Sequence, residues 1–385
     1  MRYYDYLAPS VNFMGPGCVK ELGKRCKILN LKKALIVTDH FLANLENGPV
    51  AQSIKSLEEN GIEYAIFEGV EPNPKIENCY DGLATFVGNN CDSIITIGGG
   101  SSHDCGKGIG IASSHKKPLK ELAGIETLDN ALPPILAVNT TAGTASEVTR
   151  HCVLTDRETK LKFVIVSWRN VPLVSFNDPL LMLDIPKGLT AATGMDALTH
   201  AIESYVSVDA NPVTDASAIQ AIKLISTNLR QAVANGHNVQ ARENMVYASY
   251  LAGLAFNNGN LGYVHAMAHQ LGGQYDMAHG VANAMLLPTV EEYNLIANPE
   301  KFKNIAEFMG KNIDGLSTME AAHLAIDAMR ELAEDVGIPQ GLSKMGVKEE
   351  DFDLMATNAL KDGNAFSNPR KGNKEDIINL FRKAF

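Results

Sequence analysis

The sequence lacks the features that mark membrane-spanning, secreted and disulfide-stapled proteins. No stretch approaches the ~20 consecutive apolar residues of a transmembrane helix. The opening M-R-Y-Y-D-Y-L-A-P-S has no apolar segment long enough for a signal peptide. The six cysteines are scattered without a C-x-x-C pair, which favours reduced thiols over a disulfide framework or a cysteine-ligated zinc. We therefore expect a cytoplasmic protein.

Positive charge is also scarce. The chain has 34 Lys and Arg against 44 Asp and Glu, and no basic cluster offsets the net charge of -10, so we expect no nucleic-acid surface and no membrane partner. Apolar residues make up 45% of the chain, which is ordinary for a globular enzyme. A single core rarely organises 385 residues, so two domains are expected.

The first half alternates short apolar runs with stretches of helical spacing. Strands are predicted at 33–38, 62–67, 93–97 and 135–139, helices at 49–60 and 81–89, and a hairpin around 156–159. Strands that alternate with helices indicate a parallel sheet covered by helices on both faces.

The strand at 93–97 ends in Gly98-Gly99-Gly100-Ser101-Ser102-His103-Asp104, where a helix is predicted to begin. Glycines at such a point let backbone N–H groups approach a pyrophosphate, although a tight strand-to-helix turn alone would also need them. Asp39 ends a neighbouring strand, where a carboxylate would bond a ribose 2′-OH and repel a 2′-phosphate, which favours NAD over NADP. Because this acid precedes the glycine loop, the pattern differs from the Rossmann fingerprint.

A second polar loop, T-T-A-G-T-A-S-E, follows the strand at 135–139. Its hydroxyls suit phosphate and ribose contacts. A capping box, with Thr144 as N-cap and Glu147 three residues later, explains the same residues equally well.

The histidines are concentrated between Gly194 and His279. Asp196 and His200 are four residues apart in a helical run and share one face of it. His265, His269 and His279 follow in H-A-M-A-H-Q-L-G-G-Q-Y-D-M-A-H-G. Asp196 and His200 alone could be an ordinary surface pair, but a second histidine cluster flanked by glycines favours a divalent first-row metal site.

Beyond residue 184 the hydrophobic period changes and prolines cluster, so we place a domain boundary there. Helices are predicted at 190–207, 212–235, 240–258, 262–274, 280–296, 300–310, 317–336, 349–361 and 374–384. The predicted organisation is α/β: a dinucleotide-binding α/β domain at 1–184, followed by an all-helical metal-binding domain at 185–385.

The sequence resembles the iron-dependent (group III) alcohol dehydrogenases over essentially its whole length. The motifs that carry the resemblance are G-G-G-S-S-H-D, T-T-A-G-T-A-S-E-V-T, T-G-M-D-A-L-T-H-A-I-E, G-L-G-Y-V-H-A-M-A-H, M-A-H-G-V-A-N-A and K-D-G-N-A-F-S-N-P-R-K-G. The resemblance implies a dehydroquinate synthase-like two-domain fold, NAD as cofactor, and Fe²⁺, or else Zn²⁺ or Mn²⁺, as metal.

The resemblance also implies roles for individual residues. The implied metal ligands are Asp196, His200, His265 and His279. The positions that match the nucleotide site are Asp39, Asn73, Gly99, Gly100, Ser101, Asp104, Thr140, Thr141, Thr144 and Lys162. His269 matches a histidine near the nicotinamide and is our candidate proton relay, although a helix histidine bonded to a carbonyl would look the same. His151 has no assigned role, and His103, His115, His237 and His323 are expected at the surface.

The implied activity interconverts short primary alcohols or diols and aldehydes, with 1,3-propanediol and 3-hydroxypropionaldehyde as the expected pair. Methanol or another short alcohol is the alternative substrate, and a lyase on the same fold or a non-catalytic NAD- and metal-binding assembly protein are the alternative classes. A homo-oligomer, from dimer to decamer, is expected from the resemblance. Small and apolar residues at 252–262 are expected to line the substrate pocket.

Overall fold

The structure is a computed structural model that describes residues 5–9, 11–159 and 161–385. The chain forms two compact units. The α/β unit consists of Leu7–Thr141 and Ala145–Asp184, and the helical unit consists of Ile185–Phe385 with residues 5–6 and the short segment Ala142–Thr144. The boundary predicted near residue 184 assigns this segment to the first domain, whereas the structure places it in the helical unit. A Cβ at Gly143 would lie 2.6 Å from Cβ of Thr193, so the absence of a side chain there lets the segment pack within the helical unit.

The strands of the α/β unit are β1 (Val11–Met14), β2 (Lys33–Val37), β3 (Glu63–Phe67), β4 (Ser93–Gly98), β5 (Gly124–Ile125), β6 (Ile135–Asn139), β7 (His151–Asp156), β8 (Leu161–Val166) and β9 (Val174–Asn177). A six-stranded sheet has the order β1-β9-β6-β4-β2-β3, and every neighbouring pair in it is parallel. A three-stranded sheet, β5-β8-β7, contains the antiparallel hairpin of β7 and β8. The predicted strands, parallel sheet and hairpin are confirmed.

The helices of this unit are α1 (Leu22–Ile28), α2 (His40–Ala43), α3 (Pro49–Glu59), α4 (Ile76–Gly88) and α5 (Gly100–Ser114). They cover both faces of the large sheet, as predicted. Leu35 and Val37 of β2 belong to an apolar cluster with residues of α4 and α5, whereas Ala34 and Ile36 belong to a cluster with residues of α1 and α3. This alternation follows from the two-residue period of a strand, and it explains why the central strands are apolar throughout.

The helical unit contains α6 (Lys187–Val206), α7 (Pro212–Ala234), α8 (Val239–Gly259), α9 (Tyr263–Tyr275), α10 (His279–Asn294), α11 (Pro299–Phe308), α12 (Thr318–Asp335), α13 (Phe352–Ala359) and α14 (Lys374–Ala384). These bounds confirm the predicted helices to within a few residues. Local capping sets them: Asn211 accepts from the N–H groups of Val213 and Thr214 just before α7, and Pro212 occupies the first helical position, where no N–H is needed.

One apolar core runs through this unit and includes buried residues of all nine helices. Among the described residues, no helix combines the length and the apolarity that crossing a bilayer requires.

Candidate metal centre and nucleotide-binding residues

Four side chains from three helices meet inside the helical unit. Asp196 and His200 lie on α6, His265 lies in the first turn of α9, and His279 is the first residue of α10. One ligand atom from each can be chosen so that all four atoms lie within 4.8 Å of one another. The predicted group of one carboxylate and three imidazoles is therefore brought together by the fold.

The ring atoms that face the group are defined by short distances. Nε2 of His265 lies 3.9 Å from Oδ1 of Asp196, and Nε2 of His279 lies 3.7 Å from the same oxygen. The ring of His200 stacks on that of His265 at 4.6 Å between centroids and on that of Phe256 at 4.2 Å. Phe256 was expected in a substrate pocket, and here it lies against a member of the metal group.

Burial favours the neutral imidazoles of His200 and His265. It lowers the pKa of His200 to about 4, although the Asp196 charge opposes the shift, and it lowers the pKa of His265 well below its ordinary value. A neutral imidazole keeps a lone pair on one ring nitrogen, which is the form that binds a metal. Three imidazoles and a carboxylate fit a divalent first-row ion.

Asn283 gives a second sign that the ligand atoms converge. Its Nδ2 lies 2.7 Å from Oδ1 of Asp196, 3.0 Å from Nε2 of His265 and 3.2 Å from Nε2 of His279. Three acceptors thus face a single point. The sequence reasoning missed Asn283, although it follows His279 by four residues on α10 and therefore shares its face.

Glu203 was also missed, and it is the buried partner of His265. One carboxylate oxygen is hydrogen-bonded to Nδ1 of His265, and the other accepts from the backbone N–H of Val264 at 2.7 Å. Burial raises the pKa of Glu203 to about 8, and backbone hydrogen bonds oppose that rise.

His269, our candidate proton relay, is paired with a third missed residue. Its Nδ1 lies 2.7 Å from Oδ2 of Asp362, and its ring stacks 5.5 Å from that of His279. Burial alone would raise the pKa of the Asp362 carboxyl, but His269 and the N–H of Asn364 lower it below its ordinary value overall. Nδ1 of His269 therefore pairs with a carboxylate and not with a backbone carbonyl, which was the alternative. Asp362 stands in the motif K-D-G-N-A-F-S-N, but the motif does not predict that its partner is His269, 93 residues earlier in the chain.

Several predicted nucleotide residues lie at the carboxyl ends of neighbouring strands. Asp39 follows β2, Gly99 follows β4 and Thr140 follows β6, and these strands are adjacent in the order β2-β4-β6. Ligands of open α/β sheets bind at such an edge. Gly100 and Ser101 begin α5, a 15-residue helix whose first N–H groups suit a phosphate.

Close backbone approach explains the glycines of this edge. A Cβ at Gly99 would lie 3.0 Å from the side chain of Thr141, so the loops after β4 and β6 can approach closely only without it. Gly98 has a φ of 150°, which disfavours other residues. Asp39 accepts from the N–H of Leu42 and caps α2 with Oδ1.

Asn73 and Lys162 were predicted for the same site from distant parts of the chain, and they are in contact. Nζ of Lys162 donates to Oδ1 of Asn73 at 2.8 Å. Asn73 has a φ of 51°, a left-handed conformation that asparagine tolerates better than most residues. The side chain of Lys162 is thus held in place by Asn73.

Asp104 is buried and already engaged within the α/β unit. Its carboxylate accepts from Oγ of Ser146 at 2.6 Å and from the N–H of Val153 at 3.2 Å. One turn later, Nζ of the fully buried Lys107 donates to the carbonyl oxygens of Ser146, Thr149 and His151 at 2.7–3.0 Å. Together they fix the loop at 145–151. Lys107 was not predicted, because a lysine inside a helix carries no signal of such burial.

The capping box considered for T-T-A-G-T-A-S-E is wrong. Thr144 belongs to the helical unit, and Ala145, with a φ of 52°, precedes a short 3-10 turn at Ser146–Val148 that has no side-chain cap. Glu147 is buried instead, and burial raises its pKa to about 7.

Two other histidines complete the comparison with the sequence. His103 was expected at the surface, and this is wrong: it is 1% exposed, its Nδ1 lies 2.7 Å from Oγ1 of Thr96, and burial lowers its pKa to about 3. The hydroxyl partner makes that burial tolerable. His151, the first residue of β7, is half-buried, and its carbonyl binds Lys107.

The comparisons with known proteins identify the family of this chain. The iron-containing alcohol dehydrogenase family matches residues 9–179, and the C-terminal part of the Fe-containing alcohol dehydrogenase family matches residues 190–385. The 1,3-propanediol dehydrogenase of Citrobacter freundii is 68% identical over 384 residues, which cover 100% of this chain and 99% of the relative. The NAD-dependent methanol dehydrogenase of Bacillus methanolicus is 46% identical over 380 residues and 99% of each chain.

A solved structure, that of a 1,3-propanediol oxidoreductase, superposes with a TM-score of 0.98 at 67% identity and covers 100% of both chains. The family description names iron, and the Bacillus relative is named as NAD-dependent, in agreement with the predicted cofactors. The resemblance found in the sequence is thereby confirmed. The chain belongs to the iron-containing alcohol dehydrogenase family and is a metal-dependent alcohol oxidoreductase.

Proposed function

We propose that this enzyme interconverts 1,3-propanediol and 3-hydroxypropionaldehyde with NAD(H). The observation that carries the proposal is the 68% identity, over the full chain, to 1,3-propanediol dehydrogenases of Citrobacter freundii and Klebsiella pneumoniae. The 46% identity to a methanol dehydrogenase makes methanol the alternative substrate.

We assign Asp196, His200, His265 and His279 as the ligands of a divalent ion, most simply Fe²⁺. The convergence of their ligand atoms within 4.8 Å supports this assignment. When bound, the ion would act as a Lewis acid that lowers the pKa of the alcohol hydroxyl. A non-catalytic assembly protein would not need this complete donor set, so the enzyme is favoured over that alternative.

The chain's own residues perform the other tasks in this scheme. In the oxidation, a primary alcohol and NAD⁺ give an aldehyde, NADH and a proton. His269 receives that proton at Nε2, because Asp362 already holds its Nδ1. The residues at the β2-β4-β6 edge, with Asn73 and Lys162, hold the nucleotide and so orient the nicotinamide.

The expected pocket wall at 252–262 includes two glycines that pack closely against α6. A Cβ at Gly259 would lie 2.6 Å from Oγ of Ser204, and one at Gly262 would lie 2.9 Å from a carboxylate oxygen of Glu203. Both glycines allow close packing inside the helical unit. The preference for short apolar chains therefore rests on the similarity to the relatives and not on this segment.

Steady-state kinetics across methanol, ethanol, propanol, butanol, 1,3-propanediol and lactate test the proposal, with NADH followed by absorbance and Fe²⁺ supplied anaerobically. Each buried methylene contributes about 0.8 kcal/mol until the pocket is full, so kcat/KM should peak at about three to four carbons. A maximum at methanol would replace the proposal with the methanol alternative. A maximum at lactate would contradict both.

We further propose that the enzyme is a cytoplasmic homo-oligomer. All six cysteines are free thiols, which suits a reducing compartment. Sedimentation velocity gives the oligomer size, and a monomer at micromolar concentration would contradict the expected assembly.

A further inference from the structure

We propose that Glu203 is the positioning residue that sets the tautomer and orientation of His265 and thereby controls the affinity of the metal site. The inference rests on the ligand set assigned above. Glu203 follows Asp196 and His200 by seven and three residues, so α6 carries all three on one face. It is 2% exposed.

The two carboxylate oxygens of Glu203 have separate partners. One accepts a hydrogen bond from the backbone N–H of Val264 at 2.7 Å. The other is hydrogen-bonded to Nδ1 of His265. With a metal ion on Nε2, the imidazole proton would reside on Nδ1, where the ionised carboxylate of Glu203 would accept it. Nε2 is the atom that faces Asp196, at 3.9 Å, and Asn283, at 3.0 Å.

The position of Glu203 is itself fixed by the start of α9. A Cβ at Gly262 would lie 2.9 Å from a carboxylate oxygen of Glu203 and 2.8 Å from Oδ1 of Asn368. Glycine at this position therefore leaves room for both side chains. Asn368 accepts from the N–H of Tyr263 at 3.1 Å, so Glu203 and Asn368 together satisfy N–H groups that the first helical turn leaves without helical partners.

Helix capping alone would also explain a buried carboxylate here, and the contact with His265 separates the two roles. Both Glu203 and Asn368 cap α9, but Glu203 also holds a metal ligand. Helix α6 therefore supplies two ligands directly and orients a third through Glu203. Carboxylate partners of metal-bound histidines typically change metal affinity by 10- to 100-fold when removed.

The test compares Glu203→Gln with Asn368→Ala in the full-length protein, and Co²⁺ is the probe. The carboxamide of Gln has one acceptor oxygen, so it cannot accept from both Val264 and His265. Competition against a chelator should show Co²⁺ binding about 10- to 100-fold weaker in Glu203→Gln. The visible absorption of bound Co²⁺ should also change. Asn368→Ala should lower the Tm while leaving the Co²⁺ affinity and spectrum as in the wild type.

Wild-type Co²⁺ affinity in Glu203→Gln would overturn the proposal. If that variant does not fold, Gly262→Ala displaces the same carboxylate and should also weaken Co²⁺, and unchanged affinity there would overturn it equally. His265→Ala keeps the two claims distinct. If His265→Ala loses Co²⁺ while Glu203→Gln does not, only the role of Glu203 fails. If His265→Ala retains a full equivalent of Co²⁺, the ligand set itself fails.

Discussion

His269 and Asp362 are 93 residues apart in the chain, yet Nδ1 of one lies 2.7 Å from Oδ2 of the other. When the carboxylate accepts the Nδ1 proton, the lone pair of the neutral imidazole is on Nε2, the atom that we propose as the base. Asp362→Asn can present its amide N–H to Nδ1 and so favour the wrong tautomer. We expect kcat to fall by about 10- to 100-fold, a part of the 10²–10⁴ that general acid–base catalysis contributes.

Metal content should stay at the wild-type level in Asp362→Asn, because Asp362 is not among the four assigned ligands. Asp353→Asn is the matched control, because it changes a carboxylate on α13 that is 72% exposed. It should leave kcat at the wild-type value. A kcat within twofold of the wild type for Asp362→Asn would show that the pair is structural only.

His265→Ala should abolish both metal binding and turnover while leaving the fold intact. The reason is that it removes one of the four converging side chains that we assign as ligands. Elemental analysis of anaerobically purified protein gives the metal content, and circular dichroism checks the fold. His323→Ala, at an exposed position, is the control. Stoichiometric metal with normal rates in His265→Ala would refute the ligand assignment.

Asp39→Gly should relax the choice of cofactor toward NADP, because the carboxylate is expected to bond the 2′-OH and to repel a 2′-phosphate. The ratio of kcat/KM for NAD to that for NADP measures the effect. Asp39→Asn is the informative companion: it keeps an oxygen to cap α2 but removes the charge. An unchanged ratio in both variants would place the adenosine ribose elsewhere.

Glu147 should make the α/β unit less stable as the pH rises. Burial raises the pKa of its carboxyl from its ordinary value of 4.5 to about 7. The folded protein therefore binds a proton that the unfolded chain releases, and this stabilisation is present below pH 4.5 and is lost as the pH rises through about 7. The shift corresponds to at most about 3 kcal/mol.

Glu147→Gln cannot take up this proton, so its Tm should rise relative to that of the wild type between pH 5 and pH 7, roughly the interval over which Glu147 is protonated in the folded protein and ionised in the unfolded chain. Thermal unfolding at several pH values measures the difference. Glu46→Gln, an exposed carboxyl, should show none. Parallel Tm curves for Glu147→Gln and the wild type would contradict the buried, protonated carboxyl.

The metal group could be predicted from the sequence because its signal is local. Asp196 and His200 share a helix face through their spacing, and His265 and His279 stand in a short histidine-rich stretch. Glu203 stands on the same face, but its role appears only once the first turn of α9 is known to lie against it. A glutamate inside a helix is otherwise most simply a solvated residue.

The strands and helices were predictable for the same reason, since periodicity is a property of neighbouring residues. Burial of single polar side chains was not. His103 and Lys107 are buried because distant residues supply partners: Thr96 for the imidazole, and the loop at 145–151 for the ammonium. Such partners are set by tertiary packing, which no local pattern encodes.

The segment Ala142–Thr144 places three residues of the first half of the chain in the packing of the second half. A polypeptide that stops at Asp184 would carry Gly143 without the Thr193 backbone on which it packs. A polypeptide that starts at Ile185 would leave that part of α6 uncovered. Neither half alone therefore contains both sides of the contact between Gly143 and Thr193. During synthesis, the first half cannot complete its native contacts until α6 has emerged from the ribosome.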